Sequence, residues 1–244
     1  MSLTVIKPAT CKTLVVVPTY CEKDMIVEVV SAIVASLTCD VLVVDDDSPD
    51  GTASLVRETF AQDGRVSLLC RQGLPRGLGS AYRDGFALAL EAGYAYVVQM
   101  DADFSHDPGR LPDLLARAHQ ADLVIGSRYI AGGNTAGFGR LRRLVSKGGS
   151  WYARRVLGLP VRDVTGGFKC WRAEALAAVD VASTTSRGFA FQIEMNQRAQ
   201  RCGLKIVELP ISFSDRRRGS SKMSGKIFFE GLIAVWRLRK TRRK

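Results

Sequence analysis

Residues 97–108 read Val97-Val98-Gln99-Met100-Asp101-Ala102-Asp103-Phe104-Ser105-His106-Asp107-Pro108. The apolar run Tyr94–Met100 has the length and β-branched content of a buried strand. It ends abruptly in two carboxylates one residue apart. In a twisted parallel sheet, ligands bind outside the carboxyl ends of the strands. Two carboxylates there can hold a hard divalent cation, which in turn holds a diphosphate. Taken alone, an acid-x-acid pair is a weak motif and reads better as a cap for the helix that starts near Pro108. The rest of the chain decides between these readings.

Working outward, strand-like and helix-like segments alternate at short spacing. Thr13–Val17 is a β-branched run closed by Pro18, and Glu22–Leu37 repeats apolar residues at helical spacing. Val41–Val44 is a second strand, followed by a helix over Thr52–Phe60. Val66–Leu69 is a third strand, and a helix from Gly77 carries Tyr82, Phe86 and Leu90. After the strand Tyr94–Met100 come a helix over Leu111–Ala118 and a strand over Leu123–Ile125. Such alternation predicts an α/β protein with a doubly wound, mostly parallel sheet. Three strands end in polar clusters: Pro18-Thr19-Tyr20, Asp45–Asp50 and Asp101–Asp103. Parallel strands put all three at one edge, which caps alone do not require. No Gly-x-Gly-x-x-Gly follows the first strand and no Gly-Lys-Ser/Thr loop is present. Phosphates must then be held by metal and side chains.

Beyond Ala131 the alternation is expected to stop. Ala131–Arg140 is glycine-rich and reads as a mobile loop. Leu141–Val156 reads as a basic helix, with Arg142 and Ser146 one turn apart on one face. Asp163–Lys169 is turn-rich, with helices expected near Ala173–Ala178 and from Gly188 to Cys202. A strand is expected over Ile206–Ile211 and a charged loop over Asp215–Lys222.

At 244 residues and 46% hydrophobic, the chain can bury a full core. Its six cysteines include no pair separated by two residues, which excludes zinc-ribbon and redox motifs. Together with the lack of a secretory signal, this predicts a reduced, cytoplasmic protein with buried or inert thiols. No apolar stretch reaches the roughly 18 residues of a membrane span. The net charge of +11 is concentrated in residues 216–244, which hold eleven Lys or Arg and one acid, Glu230. The body is close to neutral and lacks an aromatic-basic stripe, so the nucleic-acid-binding reading that the tail suggests is disfavoured.

The ordered motifs resemble the polyprenol-phosphate (dolichol-phosphate) mannosyltransferases. They are Pro18-Thr-Tyr-Cys-Glu22, Val44-Asp-Asp-Asp-Ser-Pro-Asp-Gly-Thr52, Gly77-Leu-Gly-Ser-Ala-Tyr82, Met100-Asp-Ala-Asp103, Gly126-Ser-Arg-Tyr129, Asp163-Val-Thr-Gly-Gly-Phe168, Phe191-Gln-Ile-Glu194, Pro210-Ile-Ser-Phe-Ser-Asp-Arg216 and Ser221-Lys-Met223. The resemblance implies an inverting glycosyltransferase with the nucleotide-sugar-binding A-type fold, a Rossmann-like, mostly parallel sheet flanked by helices. It implies a catalytic domain over residues 1–222, with a donor part at about 13–127 and an acceptor part at about 128–222, before a basic amphipathic tail, 223–244. The donor would be GDP-mannose and the acceptor a polyprenyl monophosphate.

Carried over residue by residue, Pro18, Tyr20, Glu22, Val44 and an Asp of the Asp45–Asp46 pair correspond to the nucleoside-binding set. Asp101, Ala102 and Asp103 correspond to the metal and diphosphate positions, for Mg²⁺ or Mn²⁺. Ser105 stands where the family often has a glutamine, a shorter metal-side group that leaves the choice of metal open. Arg216 and Lys222 match the mobile-loop contacts to the diphosphate. Arg128, Arg142 and Ser146 match the acceptor-phosphate pocket, and Arg128 also reaches the donor and is counted catalytic with Asp101 and Asp103. Cys21 and Asp47 depart from the usual asparagine and glycine. His106 is expected to be structural and His119 solvated.

A polyprenyl-phosphate glucosyltransferase using UDP-glucose is the alternative that keeps this fold. The acceptor implies a place on the cytoplasmic face of an anionic membrane. The tail residues Ile227, Phe228, Leu232, Val235 and Trp236, with the basic residues beyond, are expected to serve as an interfacial helix. Packing of those apolar residues on the core, or an integral membrane subunit, are the alternatives.

Overall fold

In β1 (Thr13–Thr19) and β2 (Asp40–Asp45) nearly every residue is buried, as in strands covered on both faces. The computed structural model describes residues 11–135, 138–186, 188–213 and 233–240. Two further parallel strands, β3 (Val66–Cys70) and β4 (Tyr96–Gln99), flank this pair, and β5 is Leu123–Ser127. The connecting helices are α1 (Ile26–Ser36), α2 (Thr52–Thr59), α3 (Leu78–Glu91) and α4 (Leu111–Ala118). Then come β6 (Asn134–Thr135), α5 (Arg140–Leu157), β7 (Lys169–Arg172), α6 (Ala173–Ala178), α7 (Phe189–Arg201), β8 (Ile206–Pro210) and β9 (Ser212–Phe213).

The main sheet has seven strands in the order β3-β2-β1-β4-β7-β5-β8. Alternate strand residues feed two cores. Leu14, Val16, Leu42 and Val44 face the layer that holds α3 and α7, whereas Val15, Val17, Val41 and Val43 face the layer of α1 and α4. Gly85 lets α3 approach closely, since a Cβ there would lie 2.7 Å from Val16. The expected A-type architecture, a mostly parallel sheet flanked by helices, is what the chain adopts.

Two expectations are corrected. The stretch after Asp163 is more than turns and helix. It contributes β7, which returns to the middle of the sheet and pairs antiparallel with both β4 and β5. Four residues, two of them basic, give no periodicity from which to read a strand; burial of Cys170 and Trp171 between the layers makes it one. The glycine-rich segment after Ala131 also carries structure, because β6 pairs in parallel with β9 in a second, two-stranded sheet. Among the thiols, Cys39 and Cys170 are buried, with burial pushing each up to about 12, and Cys21 and Cys202 are exposed. Residues 233–240 are helical and pack inward through Val235 and Leu238, where the Gln197 amide donates to the Leu238 carbonyl at 3.1 Å. Of the residues expected to form an interfacial helix, Val235 packs on the core and Trp236 is exposed, while Ile227, Phe228 and Leu232 lie outside the described residues.

Candidate active site

The three polar strand ends fall at one edge, as the sequence predicts, and the first two are stitched together. The Thr19 hydroxyl donates to the Asp45 carboxylate at 2.9 Å, and the Asp46 amide donates to the Thr19 carbonyl at 3.0 Å. Asp45 also accepts from the Ser48 amide (2.9 Å) and hydroxyl (2.6 Å), which closes the turn after β2. Asp46 is held by Arg71 and by the Gly77 amide (2.7 Å), while Arg71 also binds Asp84 at 2.6 Å. This buried arginine ties the ends of β2 and β3 to the middle of α3. Asp45 and Asp46 therefore shape this edge as much as they present charge to it.

The other donor positions are placed unevenly. Tyr20 sits at the surface, but the Arg76 guanidinium covers its ring at 4.9 Å and donates to its hydroxyl at 3.1 Å. Arg76 was not a candidate in the sequence. Val44 is fully buried in the layer of α3, directly before the two acids of the turn. Pro18 is half-buried at the end of β1. Glu22 holds the first turn of α1, its carbonyl accepting from Met25 and Ile26 and its amide donating to Thr52. Arg216 and Lys222 lie outside the described residues.

Beyond β4, Asp101 is half-buried, and Ala102 and Asp103 are buried. Phe104 takes a left-handed conformation (φ 56°), which turns the chain so that the Ser105 amide donates to Asp103 at 3.0 Å. Among the described residues, no three His, Cys, Asp or Glu side chains are grouped to hold a metal. The chain thus offers two carboxylates and the Ser105 hydroxyl, which is buried without a hydrogen-bond partner. An orphaned oxygen beside a carboxylate pair fits a hard cation that takes its remaining ligands from a diphosphate and water. Two more orphans lie close by. The Tyr82 hydroxyl is fully buried and raised well above its ordinary pKa by burial and then by Asp101 and Asp103. The Gln192 side-chain amide is also buried and unsatisfied at both ends. Gly167 leaves the space between: a Cβ there would lie 3.5 Å from Asp101 and 3.6 Å from the Gln192 nitrogen. Neither Tyr82 nor Gln192 has a sequence signal as a site residue beyond its motif.

His106 is buried, stacked on Phe168 at 5.1 Å and edge-on to Phe213 at 5.6 Å. Burial keeps it neutral against the pull of Asp101 and Asp103, and its Nδ1 accepts from the Asp101 amide at 3.3 Å. These contacts are those of a side chain packed into the fold. His119 is exposed at the end of α4, as expected, and shares a 2.9 Å hydrogen bond with the Tyr96 hydroxyl.

The expected acceptor set also comes together. Phe213 joins the two halves, packing edge-on to Phe138 and lying under Arg128 at 5.1 Å. Arg142 stacks on Phe138 at 4.0 Å, and Ser146 shares a 2.6 Å hydrogen bond with Tyr129, whose ring also lies under Arg128. Arg128 is gripped by Asp163: Nε and Nη2 each donate to its carboxylate at 2.7 Å, and Nη2 also reaches Thr165. Burial opposes both charges, but the pairing holds Asp163 below the usual carboxylate range and Arg128 above its usual value. Among the described residues Nη1 has no acceptor, so Arg128 offers one nitrogen to a ligand rather than a whole fork. Asp163 and Tyr129 are the residues that sequence reasoning did not single out here.

Comparisons with known proteins bear on the family and the fold. Residues 14–179 match the family model Glycosyl transferase family 2. The chain is 43% identical over 227 residues to the undecaprenyl-phosphate mannosyltransferase of Micrococcus luteus, covering 93% of each chain. It is 40% identical over 235 residues to the polyprenol monophosphomannose synthase of Mycolicibacterium smegmatis, covering 94% of this chain and 88% of the relative. Among solved structures, glucosyl-3-phosphoglycerate synthase from Mycobacterium tuberculosis aligns with a TM-score of 0.72 at 20% identity, covering 95% of this chain and 81% of that one. That likeness bears on the fold alone. A sheet of A-type order, a carboxylate pair at its carboxyl edge and these matches lead to one conclusion: the chain is a glycosyltransferase and belongs to glycosyl transferase family 2.

Proposed function

We propose that this enzyme transfers mannose from GDP-mannose to a polyprenyl monophosphate, with inversion at the anomeric carbon, at the cytoplasmic face of a membrane. The observation that carries this reading is the pairing of two sites across one aromatic bridge. His106, whose Nδ1 accepts from the Asp101 amide, packs edge-on to Phe213, while Arg128 lies over the same ring and Phe138, stacked under Arg142, packs against it. The carboxylate site suits a diphosphate and the arginine site a phosphate monoester, which a guanidinium binds by charge-assisted hydrogen bonds. Relatives at 40–43% identity are named for mannose transfer to such lipids.

Donor binding falls to the edge formed by Pro18, Tyr20, Glu22 and the Asp45–Asp46 turn, with Arg216 and Lys222 on the diphosphate. Asp101, Asp103 and Ser105 would hold Mg²⁺ or Mn²⁺, which supplies charge neutralisation for the leaving diphosphate. The orphaned Tyr82 and Gln192 groups are offered to the sugar. A lipid monophosphate is already anionic at neutral pH, its second pKa lying near ~6, so it needs no general base. Arg128, Arg142 and Ser146 align one phosphate oxygen for in-line attack on the anomeric carbon. The bond from that carbon to the diphosphate oxygen breaks, and its electron pair leaves with GDP. Catalysis then rests on orientation and preorganised charge. Burial disfavours a charged His106, which suits a structural rather than a proton-accepting role.

The test is transfer of label from GDP-mannose or UDP-glucose to a polyprenyl phosphate, with Mn²⁺ or Mg²⁺ and with a chelator. Lipid-phase label from GDP-mannose that the chelator abolishes is the expected result. Label from UDP-glucose instead assigns a glucosyltransferase, and chelator-resistant transfer removes the metal.

A further inference from the structure

The 18 residues of α5 include Arg140, Arg142, Arg143, Lys147, Arg154 and Arg155, and no acid. The helix has two unlike faces. Ser150, Ala153 and Leu157 are buried against the domain, and Arg142 and Ser146 lie on this inward side with the acceptor pocket. On the opposite side Leu141, Leu144 and Trp151 follow helical spacing around Gly148 and are 75%, 70% and 65% exposed. A soluble helix would place polar side chains there. Large apolar residues and a tryptophan flanked by basic residues are instead the pattern of a helix lying in a bilayer interface. Beside Trp151 a concave patch of about 410 Å³ is lined by Arg154, Arg155, Gly158 and Leu159, the chemistry of an anionic headgroup site.

We infer that α5 docks this enzyme on an anionic bilayer, with Leu141, Leu144 and Trp151 inserted among the lipids and the acceptor pocket at headgroup depth on the helix's inner face. The occupant is a lipid surface rather than a protein because the exposed face combines apolar tips with charge of a single sign. The docking claim rests on sequence and geometry alone; only its role in acceptor delivery rests on the reading above. A polyprenyl phosphate has its chain in the membrane and its phosphate at the interface. A helix seated there brings Arg142 and Ser146 to that phosphate without lifting the lipid out.

The test is flotation of the full chain with vesicles of phosphatidylglycerol and phosphatidylcholine, at low and high salt, beside vesicles of phosphatidylcholine alone. The wild type is expected to float with the anionic vesicles in a salt-sensitive way. The triple variant Leu141→Ser/Leu144→Ser/Trp151→Ser should lose about tenfold or more in partitioning, while a Trp236→Phe protein should show Trp151 fluorescence quenched by lipids brominated in the acyl chain. With a short, water-soluble prenyl phosphate the triple variant should keep wild-type turnover, and with a long-chain acceptor in vesicles it should lose most of it. Undiminished flotation of the triple variant overturns the inference. So does failure of the wild type to float, or loss of flotation only in Ile233→Ser/Trp236→Ser, which moves docking to the C-terminal helix. If neither acceptor is mannosylated by the wild type, the proposed reaction fails while flotation still judges the helix.

Discussion

Replacing Asp163 by Asn tests the grip that positions Arg128. Asp163 is fully buried and accepts from Arg128 through Nε and Nη2 at 2.7 Å and from the backbone amide at 3.0 Å. Its own amide is held by Glu208 at 3.0 Å, so the carboxylate has no freedom to withdraw. The Asn side chain keeps the shape, removes the charge and turns an amide NH₂ toward a guanidinium. Breaking one half of a buried ion pair typically costs about 3–5 kcal/mol. Urea unfolding should therefore show a loss of that size at neutral pH. The loss should shrink in acid: Asp163 is held below the usual carboxylate range, so its contribution is present above that range and fades as pH falls through the lowered value. The double variant Arg128→Met/Asp163→Leu should recover most of the stability, since apolar pairs of similar volume replace buried ion pairs at little cost. It should nevertheless show no transfer. A loss below about 1 kcal/mol in Asp163→Asn, or a double variant no more stable than the single one, would refute the argument that the pair is a desolvated, mutually dependent unit.

Asp103→Ala should abolish transfer and metal-dependent donor binding; turnover above about a tenth of wild type contradicts the carboxylate-pair assignment. Arg142→Ala should weaken acceptor use by about 1.5–3 kcal/mol, the worth of a charged hydrogen bond, and leave GDP binding intact, as calorimetry can check. Gln192→Leu removes two unsatisfied buried polar atoms, so the protein should gain about 1–3 kcal/mol in unfolding while losing turnover; a gain without that loss means the amide serves no ligand. Lys169, buried against the Gln192 carbonyl and Asn196, is lowered by burial from 10.5 to about 7. Between those values the unfolded chain binds the extra proton, so stability should rise with pH from about 7 by up to about 1.4 kcal/mol per unit. That slope should be missing in Lys169→Met; an unchanged slope places the titration elsewhere.

The order of strands and helices up to Ser127, and the gathering of Thr19, Asp45 and Asp101–Asp103 at one edge, follow from local sequence. Buried strands must be apolar throughout, helices must repeat near every fourth residue, and parallel strands share a carboxyl end. Arg142 and Ser146 were legible as neighbours for the same reason, being one helical turn apart. What the chain order hides is which distant polar groups satisfy each other. Asp163 grips Arg128 across 35 residues and Arg71 grips Asp46 across 25, and each pairing decides which charge is spent inside the fold. The strand β7 is hidden because Lys169 is made a core residue by Gln192 and Asn196, 23 and 27 positions away. The outward face of α5 is likewise a tertiary fact. Its sequence shows apolar and basic residues alike, and only the packing of Ser150, Ala153 and Leu157 decides that Leu141, Leu144 and Trp151 are left outside.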